Sequence, residues 1–145
     1  MYKHILLPTD GSELSAQAVR AGIRFAKSIG ARVTALHLTP VFYPMGLNAG
    51  AFGTQVEEHA ARSNESARLA LEVAERAGRE AGVPCTALHR ESDTPWDAII
   101  KTATGEQCDL IFMASHGRRG AAALLLGSET NKVLTHSKIP VLVTR

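Results

Sequence analysis

The stretch from Leu110 to Ser128, L-I-F-M-A-S-H-G-R-R-G-A-A-A-L-L-L-G-S, decides the fold. An apolar run stops at a polar turn punctuated by glycine. Gly127 and Ser128 follow after nine residues beyond Gly117, and ten residues that read as a helix come next. A strand that runs through a glycine loop into a helix start is an architecture suited to phosphate. The first turn of a helix exposes backbone N–H groups without internal partners and carries roughly half a positive charge. Glycine lets that backbone approach an anion with no Cβ in the way.

The rest of the chain repeats the strand-to-helix alternation. Ile5 to Leu7 form a short apolar run stopped by Pro8, as a buried strand would be. Thr9 to Ser12 supply turn chemistry, with Ser12 or Asp10 as the helix cap. Leu14, Ala18, Ala21, Phe25 and Ile29 recur at helical spacing, which predicts an amphipathic helix from Ser12 to Ile29 closed by Gly30. Val33 to Leu38 is a second strand ended by Pro40. Pro40 to Gly53 holds two prolines and three glycines and reads as a long apolar loop. Gln55 to Ala81, rich in Ala, Glu, Arg and Leu, is a long helix ended by Gly82-Val83-Pro84. Cys85 to His89 is a third strand, and Thr94 caps a helix running to Thr104. Leu110 to Met113 is the fourth strand. The helix opened at Gly127-Ser128 runs to His136, and Val141 to Thr144 is the fifth strand.

This order predicts an α/β fold with a parallel sheet covered by helices on both faces. Ligands of such sheets lie beyond the carboxyl ends of the strands, where the strand order reverses. The turn at Thr9-Asp10 and the turn from Ala114 to Gly120 both lie at carboxyl ends, so they face one crevice if their strands are neighbours.

Composition narrows the function. A chain of 145 residues suffices for one domain, spanning 1–145, with 45% apolar and 21% charged residues. A formal net charge of +2 and scattered aromatics give no footprint for nucleic acid. No segment reaches membrane-spanning length and no signal peptide is visible, so a cytoplasmic protein is expected. Cys85 and Cys108 read as two buried free thiols, with a disulfide as the alternative.

Several motifs together resemble the universal stress protein family over essentially the whole chain. They are P-T-D-G-S from Pro8, the H-L that ends in Leu38, M-A-S-H-G-R-R-G from Met113, L-L-L-G-S ending in Ser128, and H-S-K-I-P-V-L-V from His136. The nucleotide-binding branch of that family carries G-x2-G-x9-G-[S/T]. Here the spacing runs Ala114-Ser115-His116-Gly117, nine residues, Gly127-Ser128, with alanine in place of the first glycine. The resemblance implies a flavodoxin-like (Rossmann-like) five-stranded sheet, a homodimer, and ATP, AMP or ADP in the crevice, with Mg as a companion to the phosphates. It implies that Pro8, Thr9 and Asp10 border adenine and ribose and that the Leu38 backbone meets the adenine edge. Met113 and Ala114 would lie under the ribose, flanked by Ser115 and His116. Gly117, Gly127, Ser128 and the Glu129 amide would hold the phosphates, covered by Arg118, Arg119 and Gly120.

Elementary chemistry agrees with those roles: a carboxylate accepts from ribose hydroxyls, and glycine amides form an anion-binding nest. The Ala114 methyl would weaken binding, and the Glu129 carboxylate would repel a triphosphate unless Mg²⁺ bridged them or Arg118 and Arg119 offset it. Function is then an ATP-binding stress-response module. A slow ATP hydrolase and an interaction protein that binds no nucleotide are the alternatives. Ligand loading would order the Ala114–Gly127 loop and the Pro40–Gly53 loop.

Other features read as structural. Ser115, His116 and Asp10 suggest a hydrolase triad, but neighbours leaving a strand point to opposite sides, which disfavours a Ser115–His116 bond. His37 and His89, at strand ends, lack zinc-like companions. Asn64-Glu65-Ser66 is a glycosylation sequon inside a helix and should be silent. Ala67 to Ala77 reads as a close-packed core face. Neither a P-loop nor a dinucleotide fingerprint is present. The last strand is expected at a sheet edge, where Val141, Leu142 and Val143 of two copies would pair as a dimer.

Overall fold

A computed structural model of the chain describes residues 1–46, 49–117 and 125–145, with backbone alone for 49–52. The elements run in strict alternation: β1 (His4–Pro8), α1 (Glu13–Ile29), β2 (Arg32–Thr39), α2 (Ala49–Ala81), β3 (Cys85–Glu91), α3 (Pro95–Gly105), β4 (Leu110–Ala114), α4 (Ser128–His136) and β5 (Val141–Thr144). The five strands form one parallel sheet in the order β3-β2-β1-β4-β5. The order reverses between β1 and β4, which places their carboxyl-end turns side by side as the sequence led us to expect.

Strand β1 explains how two cores form from one sheet. Ile5, Leu6 and Leu7 are all fully buried, because successive side chains enter opposite faces and both faces are covered. Ile5 and Leu7 join Val33, Ala35, Leu110 and Phe112 beneath α1 and α2. Leu6 joins Leu36, Ile111 and Met113 beneath α3 and α4, through Ile99, Ala103 and Val133. The Ala-rich face of α2, with Ala67, Ala70, Leu71 and Ala74 buried, packs as expected. Cys108 is buried, but Cys85 is only half-buried, and both thiols are free.

Local chemistry sets the helix ends. Ser12 caps α1, its hydroxyl accepting from the Ser15 amide at 3.2 Å, and Gly30 closes it with φ of 69°. Thr94 precedes α3 without a side-chain cap bond, contrary to its expected role. Helix α2 begins at Ala49, so the predicted loop ending at Gly53 is too long by five residues (49–53). Gly50 and Gly53 argue against helix locally. A 33-residue helix has already met its nucleation cost, and extending it through glycine costs only about 1 kcal/mol each.

At the amino ends of the strands, His4 is buried and its Nε2 lies 2.8 Å from Thr34 Oγ1. Burial, helped by the Arg32 charge, lowers its pKa below the ordinary histidine value. Beside it, burial opposes the Asp109 carboxylate, but the amides of His4 and Lys3 that donate to it prevail and lower its pKa. The folded chain therefore holds a proton on His4 more weakly than the unfolded chain. Stability present above about pH 6.5 is lost as pH falls below that value. Urea unfolding between about pH 7 and 5 should show a steeper loss in the wild type than in His4→Gln. Parallel losses in the two proteins would refute the assignment.

Candidate nucleotide crevice

Where β1 and β4 part, a cavity of about 570 Å³ opens at the carboxyl end of the sheet, on the side of α3 and α4. That volume is in the range of small-ligand sites. Of the residues predicted from sequence, Pro8, Thr9, Asp10, Leu38, Met113, Ala114, His116, Gly117, Gly127, Ser128 and Glu129 line it. Ser115 does not, and it is buried. Arg118, Arg119 and Gly120 lie outside the described residues. Six further residues line the cavity without having been foreseen: Ser15, Leu36, Asp93, Pro95, Ile99 and Thr130.

The turn after β1 is tightly braced. The Thr9 amide donates to the Leu36 carbonyl at 2.8 Å, and its carbonyl accepts from His37 Nδ1 at 2.9 Å. The Thr9 hydroxyl accepts from Ser15 Oγ at 2.9 Å and from the Gly11 amide at 3.2 Å. Asp10 Oδ1 accepts from the Ser12 amide at 2.9 Å. Its Oδ2 lies against Gly117, where an added Cβ would come within 2.6 Å. His37 is thus a buried strut near the carboxyl end of β2, and its Nε2 lies 3.2 Å from Ser66 Oγ on α2. Among the described residues no group of three or more His, Cys, Asp and Glu could hold a metal.

Across the crevice, the end of β4 is fastened to the start of α4. The Gly127 amide donates to the Ser115 carbonyl at 2.8 Å, and Thr130 Oγ1 donates to the Ala114 carbonyl at 3.1 Å. A Cβ on Gly127 would lie 3.2 Å from that Ser115 oxygen, so glycine is what permits the approach. The Gly127 amide is therefore committed to the protein and does not face an anion as the sequence suggested. By position, the amides of Ser128 and Glu129 are the ones a helix start leaves for a ligand. Ser128 is exposed.

Ser115 and His116 correct a second expectation: Ser115 Oγ and His116 Nδ1 are 3.0 Å apart. Strand alternation does not apply, because β4 ends at Ala114 and Ser115 sits in a bend. His116 Nε2 is shut off from solvent without a partner among the described residues.

The Glu129 carboxylate is also differently placed. Its Oε2 accepts from the Trp96 amide at 2.9 Å, and Lys132 Nζ lies 3.2 Å from Oε1. Trp96 is the second residue of α3, whose own cap position supplies no side-chain bond. Glu129 thus caps α3 from a neighbouring helix. In the β3–α3 turn, Asp93 accepts from the Val41 amide at 3.0 Å and the Tyr43 hydroxyl at 2.8 Å. The bond to Asp93 raises the Tyr43 pKa above the ordinary value.

The family model of the universal stress proteins matches residues 1–145. The chain belongs to the universal stress protein family. It is 32% identical over 147 residues to universal stress protein MJ0531 of Methanocaldococcus jannaschii, covering all of this chain and 83% of that protein. A Thermus aquaticus universal stress protein, encoded 3′ of a QAH/OAS sulfhydrylase, is 33% identical over 150 residues, with both chains fully covered. Among solved structures, MJ0577 superposes with a TM-score of 0.75 at 29% identity, covering 99% of this chain and 96% of that one. A universal stress protein in complex with cAMP gives 0.67 at 23% identity, covering 99% and 96%. At 18% identity, an Archaeoglobus fulgidus protein in complex with dAMP gives 0.64, covering 99% and 98%. The sheet is of the flavodoxin-like class these proteins share.

Removing the borrowed cap should be measurable. Glu129→Ala leaves the Trp96 amide without its acceptor and should cost about 1 kcal/mol in thermal or urea unfolding. Glu129→Gln keeps an acceptor and should cost clearly less. Equal losses would mean the cap contributes nothing.

Proposed function

We propose that the crevice binds an adenine nucleotide (ATP, ADP or AMP) and that nucleotide loading is how this stress-response protein acts. The observation that carries the reading is that the start of α4 and Asp10 line one and the same cavity. Amides at that start supply donors and partial positive charge for phosphate. In this reading Asp10 and Thr9 meet the ribose hydroxyls, beside Met113 and Ala114, which line the same cavity. On β2, the Leu36 carbonyl faces β1, where it accepts from Thr9. Leu38, two residues on, presents its peptide groups to the same side, past the point where β1 has ended. One residue's N–H and C=O match the acceptor and the exocyclic amine on the adenine edge. Arg118, Arg119 and Gly120 would cover the phosphates, and Mg²⁺ is the natural counterion for a triphosphate. Nucleotides held by two fold neighbours, cAMP and dAMP, are consistent with the reading.

Calorimetric titration of AMP and of ATP-Mg²⁺ into the wild type should give binding, about 8 kcal/mol for a micromolar site. A carboxylate at the helix start, as Gly127→Asp or the exposed Ser128→Asp, should weaken it about a hundredfold or more. Affinity unchanged in folded Ser128→Asp would contradict the reading.

A homodimer through β5 belongs to the same proposal. The strand lies at the sheet edge, and the carbonyls of Pro140 and Thr144 accept from β4. The peptide groups of Val141 and Val143 therefore face outward, with Leu142 between them directed to β4. Val143→Pro deletes an outward N–H without breaking the β4 ladder, and sedimentation should show it shifted toward monomer. An unchanged dimer would place the interface elsewhere.

A further inference from the structure

We propose that Glu129 makes this crevice select its nucleotide by phosphate charge, favouring one phosphate over three. The inference rests on the nucleotide reading above. Glu129 is the second residue of α4, at the end of the cavity where phosphate would lie. Its carboxylate cannot turn away cheaply. Leaving its place would strand the partly buried Trp96 amide, which it accepts at 2.9 Å, and separate it from Lys132 at 3.2 Å.

Nothing else described along the wall offsets that charge. Asp93 lines the cavity as well, and among the described lining residues there is no lysine or arginine. Lys132 answers one Glu129 oxygen but does not itself line the cavity. The Thr130 hydroxyl is spent on the Ala114 carbonyl and the Gly127 amide on Ser115. Among the described residues, what is left for phosphate is the helix start, which offers roughly half a positive charge. One phosphate can be met by that field. Each further phosphate brings a full negative charge toward a fixed carboxylate, in a cleft where charges act more strongly than in open water. A divalent cation would relieve the repulsion, so selection is sharpest without one.

The test is calorimetric titration of AMP and ATP in metal-free buffer, into the wild type, Glu129→Gln and Lys132→Ala. The expected wild-type preference for AMP is about tenfold or more. Glu129→Gln keeps an acceptor for the Trp96 amide and should narrow the ratio to about threefold or less. Lys132→Ala strips the counter-charge, keeps the cap and should widen it. Mg²⁺ should improve ATP binding more in the wild type than in Glu129→Gln. Arg118 and Arg119 are common to all three proteins and drop out of the comparison. Trp96, the only tryptophan, reports by fluorescence whether the start of α3 is intact in each variant. Equal AMP-to-ATP ratios in all three folded proteins would overturn this inference and leave the nucleotide reading standing. Absence of binding by either nucleotide would overturn both.

Discussion

Two hydrogen bonds join the last turn of β4 to the first turn of α4: Gly127 N–H to the Ser115 carbonyl and Thr130 Oγ1 to the Ala114 carbonyl. They fix a helix start at the one place where the strand order reverses. Without them the amides of Ser128 and Glu129 would have no set relation to Asp10, which is held on the other side by its own turn. The approach is close enough that a single Cβ on Gly127 would press on the Ser115 oxygen. A close approach at glycine is thus part of what sets the start of α4 against the end of β4.

The same junction reaches beyond the crevice. Glu129, one residue past Ser128, crosses to the start of α3 and caps it through Trp96. Both helices on that face of the sheet thus begin beside the cavity and are tied to each other there. On the opposite face, Ser66 of α2 meets His37, which holds the Thr9 carbonyl. Each layer of helices is in this way connected to one wall of the site.

What the sequence disclosed, it disclosed through local physics. Pro8 and Pro40 stop strands, Gly30 closes a helix, and continuous apolar runs such as Ile5 to Leu7 mark strands buried on both faces. The glycine spacing from Gly117 to Gly127 marked the wall of the crevice. Two of the features that escaped depend on partners remote in the chain. Glu129 and Trp96 are 33 residues apart, so a carboxylate that caps a neighbouring helix reads locally as a charge in its own. Asp93 drew no reading from the sequence because its donors, Val41 and Tyr43, precede it by about fifty positions. The early start of α2 was hidden by glycines whose local cost a long helix absorbs. The Ser115–His116 contact was hidden because the alternation of a strand was carried past Ala114, where the chain has already entered a bend.

The account stands most directly on a crystal structure of the chain with AMP. It requires the phosphate within hydrogen-bonding distance of the Ser128 and Glu129 amides, the ribose beside Asp10, and the base edge on the Leu38 backbone. Density for the nucleotide away from the start of α4, with that crevice filled by the protein's own side chains, would contradict it.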